Sequence, residues 1–251
     1  MKSLRKAARS DTTSSKFVAL AMVVACDLWS CGPSKEAKQA ATNQLFEEVK
    51  VCNLPSVREQ VRLGADVNGR RGNGGETPLM IAAQGGSLEC VNFLLEKGAT
   101  PDAKTDSGFT PLLFAARQQN GLVAEALLAK GAYVDMRDLK EGSTALITAA
   151  SKGHTEVVQA LLKRGARTDI EKAGSSGKSA SALSEAACQY HFETAQALIA
   201  GGAKTDTRPV LACLERIRSE LQTDSYYHGP DPMRLQKFVA LIGLLEGKKG
   251  A

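Results

Sequence analysis

One seven-residue block occurs four times along this chain. Thr77-Pro78-Leu79-Met80-Ile81-Ala82-Ala83 is followed by Thr110-Pro111-Leu112-Leu113-Phe114-Ala115-Ala116, Thr144-Ala145-Leu146-Ile147-Thr148-Ala149-Ala150 and Ser181-Ala182-Leu183-Ser184-Glu185-Ala186-Ala187, at spacings of 33, 34 and 37 residues. A second block keeps the same interval: Leu94-Leu95-Glu96-Lys97-Gly98-Ala99 matches Leu127–Ala132, Leu161–Ala166 and Leu198–Ala203, with a partial early copy at Gly64-Ala65. Its glycines are spaced by 34, 33, 34 and 37 residues, so both registers place one insertion in the stretch Ile170–Lys178. A period of this size marks a supersecondary unit that cannot bury its apolar face alone and must stack on copies of itself.

Each part of the unit has a physical role. Thr ahead of Pro is suited to cap a helix whose first turn the proline ring presets. The Ala-Ala pair lets a second helix approach closely, and Leu-Leu near the end of that second helix supplies an apolar stripe. The glycine that follows is free to adopt the left-handed closing conformation. Extended stretches such as Ala65-Asp66-Val67-Asn68 and Tyr133-Val134-Asp135 lead into the next unit. The pattern resembles the ankyrin-repeat family over roughly residues 43–247. That resemblance implies an all-α repeat solenoid of helix-turn-helix units with β-hairpin tips. About four full units are expected, between degenerate N- and C-terminal capping helix pairs. The family's usual His after Thr-Pro-Leu is replaced by Met80, Leu113, Ile147 and Ser184, which removes a local hydrogen bonder and leaves the fold intact.

The ends read as caps, because a terminal unit has a neighbour on one side only. Leu45–Val49 and Val57–Val61 form the first pair, and Pro209–Leu221 with Pro232–Leu245 the last. The long loop Gln222–Asp231 between the last two exceeds what a cap needs. Aromatic residues make up 5% of the chain, so the core must be built from Leu, Val, Ile and Ala, which suits stacked helices.

Ahead of the repeats lies a leader. Residues 1–16 are polar and basic, and Phe17–Cys26 is an apolar run of ten residues ended by Asp27. Ten helical residues rise only ~15 Å, about half the hydrocarbon thickness of a bilayer. A basic segment before a short apolar one is the layout of a secretory signal. Val23-Val24-Ala25-Cys26 resembles the lipobox of bacterial lipoproteins, which implies lipidation of Cys26 and cleavage before it. Residues 1–25 are then expected to be a signal peptide, 26–41 a lipidated N-terminus and flexible tether, and 42–248 the repeat domain. The implied location is the periplasmic side of a bacterial envelope, with Asp27 resembling an inner-membrane retention signal. The net charge of +5 belongs to this leader: without residues 1–25 there remain 27 basic and 26 acidic side chains. A near-neutral body gives no general pull on nucleic acid.

No catalytic constellation is legible. Gly177-Lys178-Ser179 resembles the tail of a phosphate-binding loop, yet Lys172 stands where its first Gly belongs and no buried strand precedes it. Cys188, His191 and Cys213 lack a fourth metal ligand nearby. No Gly-x-Ser-x-Gly elbow occurs. The reading is of a non-enzyme with no cofactor and no metal. Beyond Cys26 and Cys31, the cysteines are Cys52, Cys90, Cys188 and Cys213. Stacked units are expected to hold them too far apart to bridge, as buried free thiols.

Function is therefore expected on the surface. The family resemblance implies a concave protein-binding face made of hairpin tips and the outer side of each first helix. Here that face comprises Arg70, Arg71, Asn73, Glu76 and Gln84, then Lys104, Asp106, Ser107, Phe109, Arg117 and Gln118, then Leu139, Lys140, Ser143, Ser151 and Lys152. Phe109 and Leu139 are candidate apolar anchors, with packing along its own hairpin row the other reading of Phe109. The expected partner is another protein, met by a monomer held to a membrane through its lipid alone. Three roles fit: binding or shielding an envelope protein, masking a toxin as an immunity protein, or serving an enzyme as accessory subunit through residues 222–231.

Overall fold

The computed structural model describes residues 33–72, 74–173, 179–204, 210, 213–219 and scattered positions between 236 and 243. The leader, including Cys26, residues 174–178 and the expected loop 222–231 lie outside the described residues. Helices run in pairs: α1 (Lys35–Lys50) with α2 (Leu54–Arg62), α3 (Pro78–Gly85) with α4 (Leu88–Glu96), and α5 (Pro111–Arg117) with α6 (Gly121–Ala129). They continue as α7 (Ala145–Lys152) with α8 (Thr155–Lys163), and α9 (Ala182–Cys188) with α10 (Phe192–Ala200). Residues 213–219 are again helical. Between α8 and α9 the insertion forms an antiparallel ribbon of β1 (Glu171–Ala173) and β2 (Ser179–Ser181), in the register Lys172 to Ala180.

Helix starts follow the sequence closely. Thr77, Thr110, Thr144 and Ser181 each accept a hydrogen bond from the amide three residues on, at 3.2–3.4 Å. The expected loss at the missing His is made up in two units: the amide of Thr77 meets Met80 Sδ at 3.3 Å, and that of Ser181 donates to Ser184 Oγ at 2.9 Å. The first helix departs from expectation. The polar stretch read as tether is helical from Lys35, with Ser34 Oγ capping the amide of Ala37. Lys, Glu, Ala and Gln are strong helix formers, so a capped run of them extends α1 by two turns.

One continuous core runs through the stack. Ala82, Ala83, Ala115, Ala116, Ala149, Ala150, Ala186 and Ala187 are all at most 1% exposed, and their lack of side-chain bulk brings the first helices of neighbouring units together. Leu94, Leu127, Leu161 and Leu198 fill the space beneath them, fully buried. Polar rungs then tie unit to unit. Asn120 Nδ2 donates to Ala83 O at 2.9 Å, and His154 Nδ1 lies 2.8 Å from Ala116 O, a carbonyl to which the ring can only donate. On the turns entering each unit, Thr100 N donates to Asn68 Oδ1, Tyr133 N to Asp102 Oδ1 and Arg167 N to Asp135 Oδ1, at 2.8–3.0 Å.

The cysteines overturn the expectation of free thiols. Cys52 and Cys90 are disulfide-bonded with Cα atoms 6.0 Å apart, and Cys188 and Cys213 with Cα atoms 5.1 Å apart. Both pairs are offset in register, and the offset brings them within reach. Cys52 occupies the turn between α1 and α2, in left-handed conformation, which overhangs the first turn of the next unit's second helix. Cys188 ends a first helix, and Cys213 stands on the next one across an alanine-lined interface.

Candidate functional site: the finger row and concave face

The hairpin tips form a row of fingers whose backbone is locked. Within fingers, Arg71 and Glu76 exchange backbone bonds of 2.8 and 3.1 Å, Thr105 N donates to Phe109 O at 2.9 Å, and Asp138 N to Ser143 O at 3.0 Å. Between fingers, Asp106 N donates to Gly74 O, Leu139 N to Ser107 O and Ala173 N to Glu141 O, at 2.9–3.0 Å. The third finger is stiffened further by Asp138, whose buried carboxylate accepts from the amides of Lys140, Glu141 and Ser143. Gly108, at φ +80°, lies directly under Leu139: a Cβ there would come within 2.8 Å of the Leu139 amide.

The side chains on this rigid row divide into two groups. Several are already engaged. Arg70 donates to Lys104 O and pairs with Asp106 at 2.8 Å. Arg71 pairs with Glu47 on α1 and lies over the Phe46 ring. Phe109 is half-buried with its ring 5.8 Å from that of Phe114, so it packs against α5 of its own unit and not along its hairpin row. Ser143 is a correction: at 6% exposure it faces inward, its hydroxyl 3.2 Å from that of Thr148. The Asp138 turn draws its amide in and takes the side chain with it. Glu76, Ser107 and Ser151 are half-buried, and Asn73 lies outside the described residues.

The remaining residues are open to solvent. Gln84, Lys104, Arg117, Gln118, Leu139, Lys140 and Lys152 are exposed, Leu139 at 76%. Among the described residues, the ion pairs of this face leave Lys104, Arg117, Lys140 and Lys152 without an acidic partner, while Asp106 and Glu141 are both matched to cations. The middle of the face is thus a locked backbone carrying one exposed leucine amid unneutralised positive charge.

Sequence reasoning missed one cluster. Lys172, only 15% exposed, sits 3.2 Å from Glu141 and 3.4 Å from Glu185 and so joins third finger, β1 and α9. Glu185 stands at the register of Thr148, and its half-buried place could have been read from that spacing. Elsewhere, Tyr190, His191, Phe192 and Thr194 line an open polar recess of about 160 Å³ together with Lys237, which pairs with Glu193 at 3.0 Å. His191 is held below the usual histidine range, first by partial burial and then by the nearby charges of His154 and Lys152, against a hydrogen bond with the backbone of Ser151. No group of three His, Cys, Asp or Glu side chains among the described residues is placed to hold a metal ion. No described helix is long and apolar enough to cross a membrane.

Comparison with known proteins agrees with this architecture. A family model for ankyrin repeats in three copies matches residues 45–138 and 134–208. The chain is similar to BRCA1-associated RING domain protein 1 of Caenorhabditis elegans, at 36% identity over 96 residues, 38% of this chain and 13% of that protein. It is also similar to human Rabankyrin-5, at 31% over 125 residues, 45% of this chain and 10% of that protein. Mouse 2-5A-dependent ribonuclease matches at 34% over 76 residues, 30% of this chain and 10% of the enzyme. The chain thus spans only a small part of these relatives' length. Paired helices, capped starts, a locked finger row and this family match lead to one conclusion: the chain belongs to the ankyrin-repeat family and is built as a protein–protein interaction module.

Proposed function

We propose that this protein is a non-catalytic, lipid-anchored module of a bacterial envelope that binds or shields another envelope protein through the middle of its concave face. The observation that carries the binding reading is the contrast on the finger row, where fixed backbone presents Leu139, Lys140 and Arg117 free of internal partners. A preorganised surface loses little entropy on association. A partner that covers Leu139 removes its apolar surface from water, with the surrounding polar groups as the rim that excludes solvent. Positive charge with no internal match favours a partner that brings acidic groups, and complementarity of that kind raises the association rate. The anchoring reading is supported by the basic leader, the apolar run and Cys26.

The test uses two triple variants of the full chain, with the partner captured by cross-linking in envelope fractions. Leu139→Ser with Lys140→Glu and Arg117→Glu weakens capture by at least ~2 kcal/mol while melting stays near that of the parent. The control, Glu96→Ala with Lys130→Ala and Lys163→Ala at the C-terminal ends of the second helices, changes it far less. Loss from the control alone moves the site to the convex side and rejects this reading. A toxin as the captured partner would select the immunity role over the shielding one. For the anchor, Cys26→Ser releases the protein from the membrane fraction or leaves the leader uncleaved; unchanged fractionation and mass would reject lipidation.

A further inference from the structure

The four cysteines of the repeat region all lie at the two ends of the array. Cys52 joins the first helix pair to α4 of the unit behind it, and Cys188 joins the fourth full unit to the helical residues 213–219. The register shows how unusual these placements are. The turn position of Cys52 holds Gly86, Gln119, Gly153 and Tyr190 in later units, and the position of Cys90 holds Val123, Val157 and Thr194. Cys213 takes the place of Ala82, Ala115, Ala149 and Ala186. Cysteine thus enters the repeat only where it finds a partner across an end interface, and the interior interfaces carry none.

The rungs explain why the first interface needs something more. Asn120 and His154 reach back to the carbonyl ends of α3 and α5. At the same register between α1 and α3 stands Ser87, whose side chain makes no hydrogen bond to its own helix start and is too short for the reach of Asn120. Asn53, one register earlier, turns to Ser56 instead. At the other end, Arg216 donates to Cys188 O at 2.7 Å, and Ile217 and Val210 are buried against the fourth unit. A terminal helix with one neighbour is where a solenoid opens first.

We infer that this solenoid is completed by oxidation: the two disulfides fasten its end helices, and the protein is the substrate of a disulfide-donating oxidant in an oxidising compartment. In each event two protein thiols lose two protons and two electrons and gain one S–S bond, while a disulfide of the oxidant is reduced to a dithiol. Bonds of this kind persist outside reducing cytosol. The inference is independent of which partner the concave face takes.

The full chain, recovered with its own leader from the compartment it reaches, is unfolded and alkylated without reductant. The expected result is no label on Cys52, Cys90, Cys188 or Cys213, with cross-linked peptides 52–90 and 188–213; label on any of the four, or another pairing, overturns the proposal. In the folded protein, reductant then speeds amide exchange in α1, α2 and residues 213–219 by roughly 30-fold or more, leaving α5 and α7 unchanged. A variant with Cys90→Val and Cys213→Ala, the residues other units carry there, keeps the packing and loses the bonds. It should show the same fast-exchanging ends with or without reductant. Slow exchange at its ends would mean the disulfides hold nothing, and the proposal fails.

Discussion

Gly108 shows how one residue governs the exposed face. Its φ of +80° is open to glycine at little cost, and the space where a Cβ would go is occupied by Leu139 Cγ and the Leu139 amide. Gly108→Ala is expected to cost ~1–2 kcal/mol from the backbone conformation alone. It also breaks the Leu139 N to Ser107 O bond, seen as lost amide protection at Leu139. His191 sets a second residue-scale expectation. Its folded pKa is depressed below 6.5, mainly by burial, so the unfolded chain takes up a proton at a higher pH than the folded one. Its contribution is present above the ordinary histidine value and is lost as pH falls through the depressed one. Asn120 fills the same register without titrating. Urea melts between about pH 8 and about pH 5 should therefore flatten in His191→Asn relative to the parent, and an unchanged slope would count against the burial argument.

At the scale of the element, the first helices depend on alanine. Ala82, Ala115 and Ala149 are at most 1% exposed between neighbouring helices, so Ala→Leu at any of them overpacks the stack by ~1–3 kcal/mol. Lower urea midpoints in all three are the expected result, and unchanged midpoints would misplace the helix contacts. These alanines, like the capping threonines, were legible because each repeats at fixed spacing for a local reason. What was not legible depended on neighbours across the spacing. Ser143 looked like a surface serine until the buried Asp138 carboxylate was seen to gather the amides around it. Phe109 sat at a tip by register but leans onto Phe114. The cysteine pairs are not legible from the distance between stacked units alone; aligning Cys52 with Gly86, and Cys213 with Ala186, places them as diagonal neighbours. The helical start at Lys35 is signalled by Ser34, but the polar composition that follows does not distinguish an exposed helix from a tether.

The whole molecule separates its labours. Its alanine and leucine interior is common to every unit, while the charge balance of the surface is not. The ion pairs of the finger row run along its length, Arg70 to Asp106 and Lys172 to Glu141, and leave the middle of the face cationic. Partner association should therefore slow as salt is raised, because exposed charges are screened beyond ~10 Å at 0.1 M. Association rates independent of salt would instead place the grip on Leu139 alone. A last consequence follows from the linked ends, in mechanical terms. A chain held at one end and gripped by a partner carries load. Load entering through α1 crosses from Cys52 directly to Cys90, and the sequence separation of 38 residues between them is relieved of tension. At ~3.5 Å per extended residue, roughly 130 Å of chain stays stored behind that bond when the array is pulled. Rupture then begins outside that loop, in α1 ahead of Cys52 or in the hydrogen-bonded units that follow Cys90.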